Sequence, residues 1–209
     1  MKKTLNTNTW NRLRYTLYTP AYDLVGRLFT DGRRASIANL NLQPGQRVLL
    51  VGAGTGLDLE LLPEGVDVTA TDITPVMVGR IRRRAERLGR PVTAQVMDGH
   101  ALEYDDHSFD AVILHLVLAV IPDPYACLSE AARVLKPGGC IAVYDKFLPE
   151  GEAVSSRRSI MNAVASFLFS EINRQLEPIV AAVPELTIIR DDTDTRFGAY
   201  RIVLLRKVS

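Results

Sequence analysis

Residues Val48–Gly56 read VLLVGAGTG, an apolar run that breaks into three glycines at alternate positions. A strand of a parallel sheet is covered on both faces, so it reads as a continuous apolar run rather than an alternating one. Glycine has no β-carbon and enters left-handed backbone without strain, so a turn built from it brings main chain close to a ligand. The spacing is Gly52-x-Gly54-x-Gly56, whereas the dinucleotide fingerprint G-x-G-x-x-G would put its third glycine at position 57, which is Leu57. That difference argues against a pyrophosphate and leaves a nucleoside without one, or a plain structural turn.

Working outward, the pattern alternates between strand and helix. Strands are expected at Arg47 to Val51, Val66 to Thr71, Val92 to Met97, Phe109 to Leu116 and Cys140 to Tyr144. Helices are expected at Arg33 to Leu42, at Leu57 to Leu62 before Pro63, from Thr74-Pro75 to near Gly89, and from Asp123-Pro124 to Leu135. In the last two, a capping residue is followed by proline at the first helical position. The helix after Pro75 buries Met77, Ile81, Ala85 and Leu88 by its spacing, and Pro137-Gly138-Gly139 stops the one before it. Such alternation predicts a Rossmann-like α/β fold, a doubly wound, mostly parallel sheet with helices on both faces. Leu186 to Ile189 and Ile202 to Leu205 have no long helix between them and predict an antiparallel hairpin at a sheet edge.

The 209 residues, 47% of them apolar, suffice for one domain with a sizeable core. It divides into a helical cover over 1–43, a cofactor-binding core over 44–146, a helical acceptor-pocket segment over 147–185 and the hairpin over 186–209. A net charge of +1 excludes the basic excess of a bulk nucleic-acid binder. Two cysteines, Cys127 and Cys140, make no disulfide framework and fit a reducing, cytoplasmic setting. The polar stretch Asn6 to Asn11 is no signal-peptide core, and Ala111 to Ile121 is too short to span a membrane. The three histidines and two cysteines lack ligand spacing, so no metal is expected.

Ligands of open α/β sheets sit beyond the carboxyl ends of the strands. The glycine turn lies at the first such end, Asp72 at the second and Asp98 at the third. Asp72 falls about twenty positions after Gly52, where a ribose-binding acid sits, and Asp98 can accept a hydrogen bond from an adenine amino group. Each alone has a plainer reading, as turn or helix cap; the three together predict an adenosine site.

With these residues in hand, the chain resembles the small, single-domain class I S-adenosylmethionine-dependent methyltransferases. The resemblance runs through VLLVGAGTG, VTATDITPVMV (68–78), VMDGHALEYDDHSFDAVILHLVLAVIPDP (96–124) and EAARVLKPGGCIAVYD (130–145), and more loosely from YTPAYDLVGRLFTDGRR (18–34). It implies seven strands with the last antiparallel. It implies contacts to S-adenosyl-L-methionine from Gly52, Ala53, Gly54, Thr55 and Gly56, from Asp72, Ile73 and Met77, and from Met97, Asp98 and Gly99. His115 would lie near the methionine amino group and Tyr22 would come from the N-terminal cover. The chain departs from the family at Leu50, where an acidic residue is common, which implies weaker cofactor binding.

In such chemistry the sulfonium methyl is already activated, and alignment of the acceptor lone pair is the main catalytic contribution. His115 is the first candidate for a base by strand position and His100 the second, with Tyr22 or Tyr18 orienting the acceptor. The N-terminal stretch and AVIPDP resemble bacterial phospholipid N-methyltransferases, which act on phosphatidylethanolamine. Trp10, Leu13, Leu17 and Tyr18 among Lys2, Lys3, Arg12 and Arg14 suit an interfacial helix, predicting peripheral membrane contact through residues 2–18. Arg80, Arg82, Arg83, Arg84 and Arg87 read either as a surface for anionic lipid or as a solvated face. The alternatives are a quinone or other small hydrophobic acceptor, a non-catalytic relative and, disfavoured by the glycine spacing, a nicotinamide oxidoreductase.

Overall fold

The computed structural model describes residue 23 and residues 26–148, 174–194 and 200–208. The predicted interfacial helix, Tyr22 and most of the 147–185 segment lie outside them. In chain order the elements are α1 (Thr30–Asn39), β1 (Arg47–Val51), a single 3-10 turn (Leu57–Glu60), β2 (Asp67–Asp72), α2 (Pro75–Arg87) and β3 (Val92–Val96). There follow β4 (Phe109–His115), α3 (Pro124–Val134), β5 (Leu135–Lys146), α4 (Leu176–Ala181), β6 (Leu186–Thr193) and β7 (Tyr200–Lys207).

The strands form one seven-stranded sheet in the order β3-β2-β1-β4-β5-β7-β6. β1 to β5 pair in parallel, and β7 runs antiparallel to both β5 and β6. The expected hairpin thus closes one edge. β1 lies inside the sheet between β2 and β4, and its alternate residues feed two cores. Leu49 and Val51 join Val112, Leu114, Val143 and the inner faces of α3 and α4. Val48 and Leu50 join Ile113, Ala142 and residues of α1 and α2 on the opposite face. Leu50 is 1% exposed. A carboxylate would be stranded there without water, so leucine at this position is tied to the packing of the second core.

Several elements differ from expectation for local reasons. α1 begins at Thr30 rather than Arg33 and carries Gly32 inside it. A β-carbon at Gly32 would come 2.3 Å from the Tyr144 ring, so close packing of α1 on β5 outweighs the poor helix propensity of glycine. The expected helix at Leu57 to Leu62 is only a 3-10 turn, cut short by Pro63. Thr74 precedes α2 but its side chain makes no cap bond; the Thr74 backbone N–H is instead taken by Asp72. Asp123 does cap α3, accepting from the N–H groups of Tyr125 and Ala126. Leu88 is 43% exposed rather than core, because α2 ends at Arg87. Pro137-Gly138-Gly139 does not separate helix from strand. The helix passes into β5 at Leu135, and the glycines form a bulge between the pairs Phe109–Leu135 and Ala111–Cys140.

Candidate functional site

Three strand ends converge on one cleft. The chain leaves β1 through Gly52, Gly54 and Gly56, whose φ angles are +63°, +56° and +78°. Left-handed backbone at three alternate positions explains why glycine recurs there. At Gly52 space matters as well, since a β-carbon would sit 2.6 Å from Cγ2 of Val117. The turn is tied to β2 by the Ala53 N–H donating to the Thr71 carbonyl at 2.8 Å.

Asp72 ends β2 and is 9% exposed. Its Oδ2 accepts from the Gly54 N–H at 2.9 Å and its Oδ1 from the Thr74 N–H at 2.8 Å. Each oxygen keeps a further lone pair, and the carboxylate is fixed in orientation by two main-chain donors. Burial raises its pKa to about 6 against the opposing pull of those donors. Asp98 follows β3. Its Oδ1 accepts from the His100 N–H at 3.0 Å and lies 2.6 Å from His100 Nδ1. His100 Nε2 accepts from the Asp123 N–H, which places the ring proton on Nδ1. His100 therefore braces Asp98 against the start of α3.

The cleft encloses about 640 Å³, its open mouth included. Of the expected contact residues, Gly52, Gly54, Asp72, Ile73, Met77, Met97, Asp98 and Gly99 all line it. Ala53, Thr55, Gly56 and His115 do not. The opposite wall is the β4–α3 loop, with Leu116, Val117, Val120, Ile121 and Pro122. Sequence reasoning missed this wall as part of the cleft, although the quoted AVIPDP contains Val120, Ile121 and Pro122 of it. A buried carboxylate and a half-buried arginine hold it. Asp145, at the end of β5, accepts from the Ala119 N–H at 2.9 Å, and Arg174 donates to the carbonyls of Leu118 and Pro122.

His115 lies in a different place, 5% exposed on the α1 side of the sheet. Its Nδ1 is 3.0 Å from Asp58 Oδ1 and its Nε2 3.0 Å from Ser36 Oγ of α1. Asp58 also accepts from Arg33 Nη1 at 2.9 Å, and both partners are almost fully buried. Arg33 and His115 together outweigh the burial cost and hold the Asp58 carboxyl well below the usual carboxylate range. Both ring nitrogens of His115 are thus committed to joining α1, the 3-10 turn and β4, and no cleft is among their neighbours. Next to it, Leu116 takes a φ of +58° and turns the chain into the cleft wall. A second link joins Thr55 Oγ1 to Asp23, which pairs with Arg84 at 2.6 Å, while Arg84 also pairs with Glu60 at 2.9 Å.

These titrations set a pH dependence. Burial raises Asp72 and Asp145 to about 6, above the 3.8 of an exposed aspartate. Folded protein then takes up protons more readily than unfolded protein as pH falls from about 7 towards 4, and stability rises, by up to about 3 kcal/mol for each group. Asp58 has the opposite sign; its stabilisation is present above 3.8 and is lost below it. Urea denaturation of the ligand-free protein is expected to give a higher midpoint at pH 5.5 than at pH 7.5, and a collapse below about pH 3.5. A midpoint that falls steadily from 7.5 to 5.5 would contradict the burial of both carboxylates.

Residues 49–143 match the family model described as "Methyltransferase domain". Over 136 residues the chain is 34% identical to phosphatidylethanolamine N-methyltransferase of Cereibacter sphaeroides, covering 64% of this chain and 65% of that protein. Over 135 residues it is 38% identical to demethylmenaquinone methyltransferase of Beutenbergia cavernae, covering 61% and 54%. The chain thus spans less than two thirds of either relative. Among solved structures, the [4+2]-cyclase SpnF superposes with a TM-score of 0.71 at 19% identity, covering 84% of this chain and 80% of that one. That likeness shows the fold and leaves the reaction to the site.

Proposed function

We propose that this chain is an S-adenosylmethionine-dependent methyltransferase that methylates the amine of a phospholipid head group, phosphatidylethanolamine being the acceptor; residues 49–143, which match the methyltransferase domain model, support the reaction class. The observation that carries the acceptor is the 34% identity to a protein of that named activity over 64% of this chain. The cleft carries the cofactor. Its glycine turn admits a ligand against bare main chain, and Asp72 presents an oriented carboxylate at the second strand end. When bound, S-adenosylmethionine supplies a methyl group already made electrophilic by its sulfonium.

The chain's own residues then have distinct tasks. Asp72 would hold the ribose hydroxyls by accepting their hydrogen bonds, and Asp98, braced by His100, would accept from the adenine amino group. The apolar wall of Val117, Val120 and Ile121 lowers the polarity of that side of the cleft, which would favour a reaction that disperses charge. Methyl transfer to nitrogen would need the free amine: the head-group ammonium would first lose a proton to solvent water, and the new N–C bond would form as the S–C bond breaks and S-adenosylhomocysteine leaves. The placement of His115 assigns it to holding α1 on the sheet rather than to receiving that proton.

A second acceptor is favoured by the 38% identity to a demethylmenaquinone methyltransferase. The two readings separate in one assay, with purified protein, methyl-labelled cofactor and either phosphatidylethanolamine in detergent micelles or a demethylated quinone. Label in the amine lipid and none in the quinone is the expected result. The reverse would replace the acceptor while leaving the cofactor site intact, and label in neither would overturn both.

A further inference from the structure

Helix α2 presents an arginine stripe that the fold itself does not use. At 100° per residue, Val76, Arg80, Arg83 and Arg87 fall within about 60° of one another along the helix. Met77, Val78, Ile81 and Ala85 occupy the buried side. Arg84 is buried and paired with Asp23 and Glu60, and Arg82 donates to the Ala94 carbonyl. Arg80, Arg83 and Arg87 have no hydrogen-bond or ion-pair partner among the described residues. Arg83 and Arg87 stand four positions apart and Arg80 and Arg83 three apart, spacings at which like charges repel. Arg87, in the last turn, complements the helix dipole; Arg80 and Arg83 lie too far from that end to do so.

The stripe borders an open groove of about 920 Å³, whose carboxylates are Asp23, already paired, and Glu86. Thr55 lines this groove and Gly54 lines the cofactor cleft, so the two depressions meet across the glycine turn. Val76, at the head of the stripe, is 44% exposed. Among the described residues no helix is long and apolar enough to cross a membrane. A lipid acceptor calls for a surface that meets the bilayer.

We propose that Arg80, Arg83 and Arg87 form a docking surface for an anionic phospholipid bilayer, with Val76 entering the head-group layer and the cofactor cleft held beside the membrane; this rests on the lipid reading of the acceptor. Clustered cations near an anionic leaflet add attraction residue by residue, and the attraction fades within a Debye length.

The test is vesicle flotation of the full chain at about 0.1 M salt. Vesicles of phosphatidylcholine alone are compared with vesicles of phosphatidylcholine and phosphatidylglycerol. Wild type is expected to float with the anionic vesicles only. The variant Arg80→Gln/Arg83→Gln/Arg87→Gln is expected to lose that binding about a hundredfold. Its affinity for S-adenosylhomocysteine, measured by calorimetry, stays at the wild-type value and shows that it is folded. Wild-type-like flotation of the variant, or equal binding to neutral vesicles, overturns the proposal. Displacement from vesicles by inorganic phosphate beyond that by chloride at matched ionic strength also overturns it, in favour of a soluble phosphate site. Methylation of phosphatidylethanolamine in detergent micelles separates this failure from that of the acceptor reading. With no bilayer present, variant and wild type are expected to be equally active, and loss of activity in the variant would place the arginines in the acceptor site instead.

Discussion

Replacing Asp72 with alanine is expected to lower the affinity for S-adenosylhomocysteine about a hundredfold or more, with little loss of fold stability. Two hydrogen bonds from ribose to a charged acceptor are removed, and bonds to charged groups contribute about 1.5–3 kcal/mol each. Stability changes little because the substitution has two opposed effects. It deprives Gly54 and Thr74 of their acceptor, and it also removes a carboxylate whose charge the fold disfavours. Calorimetry for affinity and urea denaturation for stability check the two halves separately. A pH series sharpens the assignment. Wild-type affinity is expected to weaken as pH falls through about 6, where Asp72 takes up its proton. Asp72→Asn cannot titrate and is expected to show a flat profile over the same range. An unchanged affinity in Asp72→Ala would show that the ribose lies elsewhere.

The largest expected loss of stability comes from Asp58→Ala. That carboxylate faces Arg33 and His115, both buried, and its removal takes away the anion to which the buried Arg33 Nη1 donates. Breaking one partner of such a group costs about 3–5 kcal/mol, a large part of a domain's total stability. The drop in the urea midpoint is the measurement. Replacing both partners, as Arg33→Met/Asp58→Leu, is expected to recover most of the loss, because the buried charges are then gone together. A loss below about 1 kcal/mol in Asp58→Ala, the size of an exposed ion pair, would mean that water reaches the group.

The sheet was legible where burial makes sequence simple. Val48 to Val51 and Ala111 to Leu114 are covered on both faces and read as apolar runs, and each begins or ends at a glycine, proline or polar residue. The strand-end side of the cleft was legible for a related reason. Gly52, Asp72 and Asp98 stand at strand ends, so locating the strands locates the residues. His115 was misleading because it too ends a strand. Its partners Asp58 and Ser36 lie 57 and 79 positions away, and nothing local announces them. Gly32 and the bulge at Pro137-Gly138-Gly139 misled in the same manner. Propensity reads glycine as an interruption, while here α1 packs on Tyr144 and β5 runs on through the bulge. The loop from Leu116 to Pro122 was hidden because its place over the cleft depends on Asp145 and Arg174, set far along the chain.

The measurement that bears most directly on the whole account is a crystal structure with S-adenosylhomocysteine. Both ribose hydroxyls are expected within hydrogen-bond distance of Asp72, the adenine between Ile73 and Met97, and the Gly52–Gly56 main chain against the ligand. Ligand bound away from these three strand ends, with Asp72 and Asp98 making no contact to it, would contradict the account at its root.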